Sequence, residues 1–278
     1  MSGPKACVIG WPVRQSRSPM IHRYWLRLYG VAGAYELAEV PPEEFESFVG
    51  NLADRGFVGG NVTVPHKEAA FRALGASESS ASALKAANTL WLENGVLCGA
   101  NTDGFGFLAN LDAAAAGWEG RRRLAVVLGA GGAARAVAAA LAERDFARVT
   151  VVNRTASRAF EVARLAGRAG EAYGPDDLPE LLAEADLLVN ATSLGMTGKP
   201  PLEIELAPLS RTAVVTDLVY APLETDLLAA ARARGNVAVD GLGMLLHQAA
   251  PGFERWFGVR PEVTDELRRI VVDDLLGR

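Results

Sequence analysis

The sequence predicts an α/β protein with an N-terminal α/β domain followed by a Rossmann-type, doubly wound domain. Three observations predict it. Apolar strand-like runs alternate with helix-like stretches along the 278 residues, as in parallel sheets joined by crossover helices. The segment Val126-Val127-Leu128-Gly129-Ala130-Gly131-Gly132-Ala133-Ala134-Arg135 reads as strand, glycine-rich turn and helix. A polar interruption at 117–122 sets off the stretch beyond it, where the pattern is strictly strand, helix, strand.

The first third supports a sheet of its own. Residues 6–10 are an apolar run closed by Gly10-Trp11-Pro12, a strand and its turn. Ser18-Pro19 reads as an N-cap followed by proline at the first helical position, starting a helix to about residue 29. A second strand is expected at 34–40, and Pro41-Pro42-Glu43-Glu44 opens a second helix. A third strand is expected at 57–64, with Pro65 starting the next helix. Residues 90–92 and 96–98, joined through Asn94-Gly95, form a hairpin, because Asn-Gly supplies the two positive φ angles of a type I′ turn.

A helix is expected from Asn101 to about residue 116. Strands are then expected at 124–128, 149–153, 187–191, 214–218 and 237–240, and helices at 131–144, 155–166 and 223–234. Near-continuous apolar strands of this kind are covered on both faces. Helical patterns at 245–257 and 263–276 end the chain.

Composition narrows the function. Half the residues are hydrophobic and 22% are charged, enough for a substantial core. The net charge of −5 gives no basic field for nucleic acid. Arg121-Arg122-Arg123 reads as the solvated lead-in to a strand. No window of eighteen apolar residues suggests a membrane span, and the N-terminus lacks the pattern of a signal peptide. Cys7 and Cys98 have no ligand-like spacing and are expected to be reduced. Together these favour the cytoplasm. No His, Cys or carboxylate cluster has metal-ligand spacing, so no metal is expected.

The glycine loop carries the first chemical reading. Gly129 permits the tight turn, Gly131 lets the backbone approach a pyrophosphate, and the small Ala134 lets helix and strand pack closely. The helix N-terminus offers N–H groups and a positive dipole end to phosphates. A dinucleotide site for NAD has Asp or Glu at the end of the second strand, on the ribose 2′-hydroxyl. Here that strand ends Asn153-Arg154-Thr155. A carboxylate repels a 2′-phosphate, whereas a guanidinium pairs with it bidentately. NADP is therefore the expected cofactor, with Arg158 one turn on. The bland alternative is a βα turn with solvent-facing arginines.

Four further segments are chemically dense. Ser16-Arg17-Ser18-Pro19 places two hydroxyls at a helix start, suited to a carboxylate or to simple capping. In Asn61-Val62-Thr63-Val64-Pro65-His66-Lys67, the lysine sits in a first helical turn, where its charge opposes the dipole. That placement suggests use, against the alternative of a solvated lysine. Asn88-Thr89 stands at the hairpin entrance. Asn101-Thr102-Asp103-Gly104 puts a carboxylate at a helix N-terminus, favourable as a cap and available for chemistry. His66 and His247 adjoin Lys67 and Gln248, but adjacent helical residues point in different directions. Neither is taken as a base, and His22 is read as structural.

These segments, with Asn190-Ala191-Thr192-Ser193-Leu194-Gly195-Met196, Asp217-Leu218-Val219-Tyr220 and Gly241-Leu242-Gly243-Met244-Leu245-Leu246-His247-Gln248, resemble the shikimate/quinate dehydrogenase family over essentially the whole chain. The resemblance implies an N-terminal α/β substrate domain plus a Rossmann-type doubly wound NADP domain, with C-terminal helices returning to the substrate domain. The implied division is residues 1–104 with 244–278 for substrate binding and catalysis, and 105–243 for NADP. It implies reversible NADPH-dependent reduction of 3-dehydroshikimate to shikimate, in chorismate and aromatic amino acid biosynthesis, by a monomer or homodimer.

By the same resemblance, Lys67 and Asp103 form the catalytic pair, and which of them carries the proton is left open. Ser16 and Ser18, with Tyr220, bind the substrate carboxylate. Thr63, Lys67, Asn88, Asp103 and Gln248 hold the ring hydroxyls. Gly129, Ala130, Gly131, Gly132 and Ala133 bind NADP, with Asn153, Arg154, Thr155 and Arg158. Thr192, Leu218, Gly241 and Met244 border the nicotinamide. Two alternatives stand beside this: a quinate/shikimate dehydrogenase, whose kind often uses NAD and alters the first serine motif, and a non-catalytic NADP-binding sensor of the same fold.

Overall fold

The structure is a computed structural model that describes residues 3–278. It divides into two compact units, one taking the chain up to Thr102 together with Gln248–Arg278, the other Asp103–His247.

In chain order the first unit contains β1 (Lys5–Gly10), α1 (Ser18–Leu28), β2 (Ala34–Glu39), α2 (Phe45–Gly50), β3 (Phe57–Val62), α3 (Lys67–Arg72), β4 (Ala76–Ser77), α4 (Ser79–Leu84), β5 (Thr89–Glu93) and β6 (Val96–Ala100). The second contains α5 (Asp103–Ala114), β7 (Leu124–Leu128), α6 (Gly132–Glu143), β8 (Arg148–Val152), α7 (Ala156–Ala163), β9 (Gly170–Tyr173), α8 (Leu178–Glu184), β10 (Leu187–Asn190), β11 (Val214–Asp217), α9 (Asp226–Ala233) and β12 (Val237–Val239). Helix α10 (Leu242–Phe257) contributes residues to both units, and α11 (Asp265–Leu275) belongs to the first.

The first unit's sheet runs β2-β1-β3-β5-β6-β4. β1 pairs in parallel with β2 and β3, and the β5–β6 hairpin then continues the sheet antiparallel. Both hairpin turn residues have positive φ, 52° at Asn94 and 80° at Gly95, as the Asn-Gly signal requires. Central β1 is buried along Ala6–Gly10, while edge strand β2 turns only Tyr35 and Ala38 fully inward. The Trp256 indole N–H donates to the Leu90 carbonyl at 2.8 Å. Gly59 lies beneath that indole, and a Cβ there would come within 2.3 Å of Trp256 Nε1. Only glycine lets strand and ring approach this closely.

The second unit's sheet is wholly parallel, in the order β12-β11-β10-β7-β8-β9. Period-two alternation sends Ala125 and Val127 into the core containing Val137 and Leu141 of α6. Leu124, Val126 and Leu128 face a second core with Leu181, Leu182 and Leu227. Both faces are thus apolar, as β7's continuous burial shows. Numbered within the unit, the order is 3-2-1-4-5-6, the arrangement that binds dinucleotides where the strand order reverses. That reversal lies between β7 and β10.

Two expected helix starts are corrected. Ser18 is not the N-cap of α1: Arg17 takes that place, and Ser18 and Pro19 are the first two helical residues. The Ser18 N–H is met instead by Ser16 Oγ at 3.3 Å, so the serine two residues earlier serves the helix end. Nor does Pro65 begin α3. The His66 N–H is spent on the Thr63 carbonyl at 3.0 Å, a turn that delays the helix to Lys67. The short β4 and β9, and helices α4 and α8, were not anticipated.

His22 lies wholly buried on α1, stacked on Tyr35 with ring centroids 4.0 Å apart. Phe253 stacks nearby at 5.9 Å, and neither imidazole nitrogen has a hydrogen-bond partner. Burial lowers its pKa from 6.5 to about 3. Between those values the unfolded chain takes up a proton that the folded ring refuses. Stability from this group is therefore complete above about pH 6.5 and lost as pH falls, by about 2 kcal/mol at pH 5. His22→Phe is expected to flatten this acid limb. The check is Tm at neutral pH and at pH 5 for both proteins; an equal acid drop in the variant would clear His22.

Candidate functional site

In the second unit, the glycine turn, the Asn153–Arg158 turn and Thr192 lie at the carboxyl ends of β7, β8 and β10. Gly129 follows β7 with φ +99°, and its N–H bonds to the Val152 carbonyl at 2.8 Å. A Cβ there would fall 2.8 Å from Thr192 Cγ2 and 3.2 Å from the Ala191 carbonyl oxygen. Both the backbone angle and the space demand glycine. Gly131 is the extended N-cap of α6, and no side chain caps that helix end. Its first-turn N–H groups point, with the dipole, toward the turn. Ala134 is fully buried against the sheet, which explains its small size. At Gly131 and Gly132, by contrast, a Cβ would meet nothing within 4 Å. The turn is open at Gly131 and Gly132 and closed where helix and strand meet at Ala134.

At the end of β8, the Asn153 amide donates to the Thr155 carbonyl at 3.1 Å and shapes the turn. Arg154, Thr155 and Arg158 are exposed on it. Among the described residues neither guanidinium is held in an ion pair, so both keep their donors for an anion. This donor set, the glycine cradle and the uncapped helix fit a dinucleotide carrying a further phosphate.

The far side of the crevice is built from the ends of β10 and β11. Leu218 and Met244 are half-buried against the core around β7. Gly241 packs so closely that a Cβ would lie 2.3 Å from the Leu218 carbonyl oxygen. Thr192 faces Gly129, and Tyr220 is half-buried two residues beyond Leu218.

In the first unit the polar groups collect at the ends of β1, β3 and β5. The Ser16 and Ser18 hydroxyls are 3.2 Å apart, so one loop and one helix start present them as a pair. Thr63 continues β3, with its N–H on the Ile9 carbonyl at 2.9 Å. Lys67 opens α3, and its carbonyl accepts from the Ala87 N–H at 2.9 Å. That bond ties the lysine's backbone to the segment carrying Asn88.

Asn88 is almost fully buried, and its Oδ1 accepts from the Thr102 N–H at 2.8 Å. The hydroxyls of Thr89 and Thr102 also lie 3.1 Å from that oxygen. These contacts fix the orientation of the amide. The Thr102 hydroxyl is 2.8 Å from the Gln248 carbonyl, which places Gln248 beside this network. Asn61 braces it from behind: Tyr35 donates to its Oδ1 at 2.6 Å, and its Nδ2 donates to the Asn88 carbonyl at 3.3 Å. Asp103 is the first residue of α5 in the second unit and is 8% exposed.

His66 is accounted for otherwise. Its Nε2 lies 2.7 Å from the Val40 carbonyl and its ring stacks on Phe45 at 4.5 Å. The imidazole is turned into the core, away from proton-transfer work. Among the described residues no group of three or more His, Cys, Asp and Glu side chains could hold a metal ion, and no helix is long and apolar enough to cross a membrane.

The sequence alone assigns no role to Asn190, Asp217 or Thr225. They form a buried polar cluster at the ends of β10 and β11. The signal was present: each strand is an apolar run closed by one polar residue, Leu-Leu-Val-Asn190 and Val-Val-Thr-Asp217.

Three family models match the chain. They describe the shikimate dehydrogenase substrate binding domain over residues 8–90, shikimate / quinate 5-dehydrogenase over 114–197, and the shikimate 5′-dehydrogenase C-terminal domain over 241–265. A curated relative from Methylocella silvestris, shikimate dehydrogenase (NADP(+)), is 56% identical over 274 residues, covering 99% of this chain and 98% of its own. Among solved structures, the Thermus thermophilus shikimate 5-dehydrogenase in complex with NADP(H) and shikimate superposes with a TM-score of 0.86 at 36% identity, covering 98% of this chain and 99% of that one. The Corynebacterium glutamicum quinate dehydrogenase in complex with NAD superposes at 0.89 with 30% identity, over 98% and 99% of the two chains.

The two kinds of glycine separate fold from binding. Gly129→Ala is expected to lower Tm, because the new methyl meets Thr192 at a positive φ. Gly131→Ala is expected to leave Tm unchanged yet weaken dinucleotide binding in a fluorescence titration. Undiminished binding by the Gly131 variant would show that its open space is not the cradle.

Proposed function

The chain belongs to the shikimate dehydrogenase family, and from that premise we propose how its own residues carry the NADP-linked interconversion of 3-dehydroshikimate and shikimate. The observation that carries the reading is the doubly wound crevice whose second strand closes on Asn153 and Arg154 where an NAD site has a carboxylate. The unit Asp103–His247 is the cofactor half, and the unit ending at Thr102, with Gln248–Arg278, is the substrate half. Gly129 to Ala133 hold the pyrophosphate, and Arg154 and Arg158 pair with the 2′-phosphate. Thr192, Leu218, Gly241 and Met244 border the nicotinamide.

NADPH, when bound, supplies the hydride. The carbonyl oxygen must gain a proton as it becomes a hydroxyl, and Lys67 donates it. The ammonium also stabilises negative charge developing on that oxygen. Asp103 orients Lys67 and a ring hydroxyl. Asn88, whose amide is oriented by the Thr102 N–H, contacts a ring hydroxyl. Thr63 and Gln248 complete the hydroxyl contacts. Ser16 and Ser18 bind the ring carboxylate with their paired hydroxyls, helped by Tyr220.

The presence of both serines and of Arg154 favours shikimate with NADP over quinate with NAD. The same reading places the activity in the cytoplasm, which the two free cysteines support. Cys7 is buried and its thiol is pushed up to about 12, so it stays protonated and inert.

Lys67→Ala is expected to lower kcat by roughly 10²- to 10⁴-fold, the usual worth of a positioned acid, with NADPH affinity nearly unchanged. Full turnover in that variant would remove Lys67 from the mechanism. Arg154→Asp is expected to shift the ratio of kcat/KM for NADP over NAD by roughly 10- to 100-fold toward NAD, the loss of hydrogen bonds to a charged group. An unchanged ratio would sink the 2′-phosphate assignment. A panel of shikimate and quinate with each cofactor measures substrate choice directly.

A further inference from the structure

Asp217 ends β11 and is completely buried. Its Oδ1 accepts from Asn190 Nδ2 at 2.9 Å and from the Val219 N–H at 2.9 Å. Its Oδ2 accepts from the Thr225 hydroxyl at 2.7 Å. All three donors are neutral. Burial pushes the pKa of Asp217 up, and these hydrogen bonds pull it back. Desolvating a carboxylate costs several kcal/mol. An apolar residue would close the sheet more cheaply, so the carboxylate is explained by what its oxygens hold in place.

Three segments depend on it. The first is the loop after β10. Asn190, anchored by Asp217, accepts through Oδ1 from the Thr192 hydroxyl at 2.7 Å and the Thr192 N–H at 3.1 Å. Its amide also donates to the Leu194 carbonyl at 3.2 Å, and the Leu194 N–H donates to the Thr192 hydroxyl at 3.0 Å. Thr192 has its hydroxyl proton committed to Asn190 and its methyl fixed against Gly129. The second segment is Leu218 to Tyr220, clamped by the Val219 N–H on Asp217 and by the Leu218 N–H on the Asn190 carbonyl at 2.9 Å. The third is Gly241, whose N–H bonds to the Val219 carbonyl at 3.3 Å and whose Cα is pressed on Leu218. Thr225, the N-cap of α9, ties the cluster to a helix.

We propose that the buried Asn190–Asp217 pair is a positioning device that sets the nicotinamide wall of the crevice, acting through Thr192, Leu218 and Gly241. The inference rests on the NADP-dependent reading above. Neither residue touches the reacting atoms. The pair fixes the backbone at Thr192, Leu218 and Gly241, while Arg154 and the first-turn N–H groups of α6 meet the phosphates at the other end of the dinucleotide. Removing the pair is therefore expected to spare cofactor binding and damage hydride transfer.

The test uses the full-length enzyme in the shikimate-oxidising direction, with protiated shikimate and shikimate deuterated at C3. Asn190→Ala is expected to lower kcat by roughly 10- to 100-fold, the worth of a hydrogen bond to a charged group. KM for NADP is expected to stay near the wild-type value, and the deuterium isotope effect on kcat to rise. Thr192→Val, which keeps the shape and removes only the hydroxyl, is expected to move both readouts in the same direction by less. It decides the matter if Asn190→Ala does not fold. Unchanged kcat and isotope effect in Thr192→Val would overturn the proposal. So would a loss confined to NADP affinity or to Tm. Wild-type enzyme run in parallel separates the two claims: an inactive wild type defeats the proposed function, whereas an active wild type with unaffected variants defeats only the positioning role.

Discussion

Everything in the cofactor half depends on the turn at Gly129. β7 is central in a wholly parallel sheet, so the chain must leave its carboxyl end and return by a crossover. It leaves at φ +99°, with the loop after β10 packed so tightly that no side chain fits. That close approach sets the loop after β7 against the loop after β10, where the strand order reverses. The reversal opens the crevice and aims the uncapped end of α6 into it. A larger residue would separate the two loops.

The substrate half solves a different problem. Its polar side chains sit at strand ends that are largely buried, where an unsatisfied amide is costly. Asn88 meets this by committing its oxygen to Thr102, and Asn61 by bracing between Tyr35 and the Asn88 carbonyl. Each amide then has one settled orientation. The network is local in space and distant in sequence, drawing on β2, β3, β5 and α10.

Much of this was legible in the sequence, for identifiable reasons. The 124–128 strand and the glycine turn were readable because apolar continuity and glycine spacing are local signals. The Asn94-Gly95 hairpin was readable for the same reason. The helix starts at Ser18 and Pro65 misled because a cap depends on which N–H each neighbour has already used. The Ser16 hydroxyl and the Thr63 carbonyl are partners that spacing alone does not reveal. The short β9, half-buried along its length, carried too weak an apolar run. His66, adjacent to the expected catalytic lysine, shows how little sequence proximity means on a helix: its ring faces Phe45 and Val40.

Asn190 and Asp217 mark the deeper limit of reading one chain. As the last residues of apolar strands, 27 positions apart, they look like ordinary strand ends. Only parallel register, with Asn190 directly opposite Asp217, makes them partners. Once paired they convert two loop departures into one fixed surface. A buried carboxylate held by neutral donors is a poor source of net stability, because its desolvation nearly offsets its bonds. It is a good source of geometry, because each donor has only one place to go. The cofactor half therefore combines two rigid devices of opposite character: a glycine that excludes side chains at β7, and a carboxylate that collects hydrogen bonds at β11.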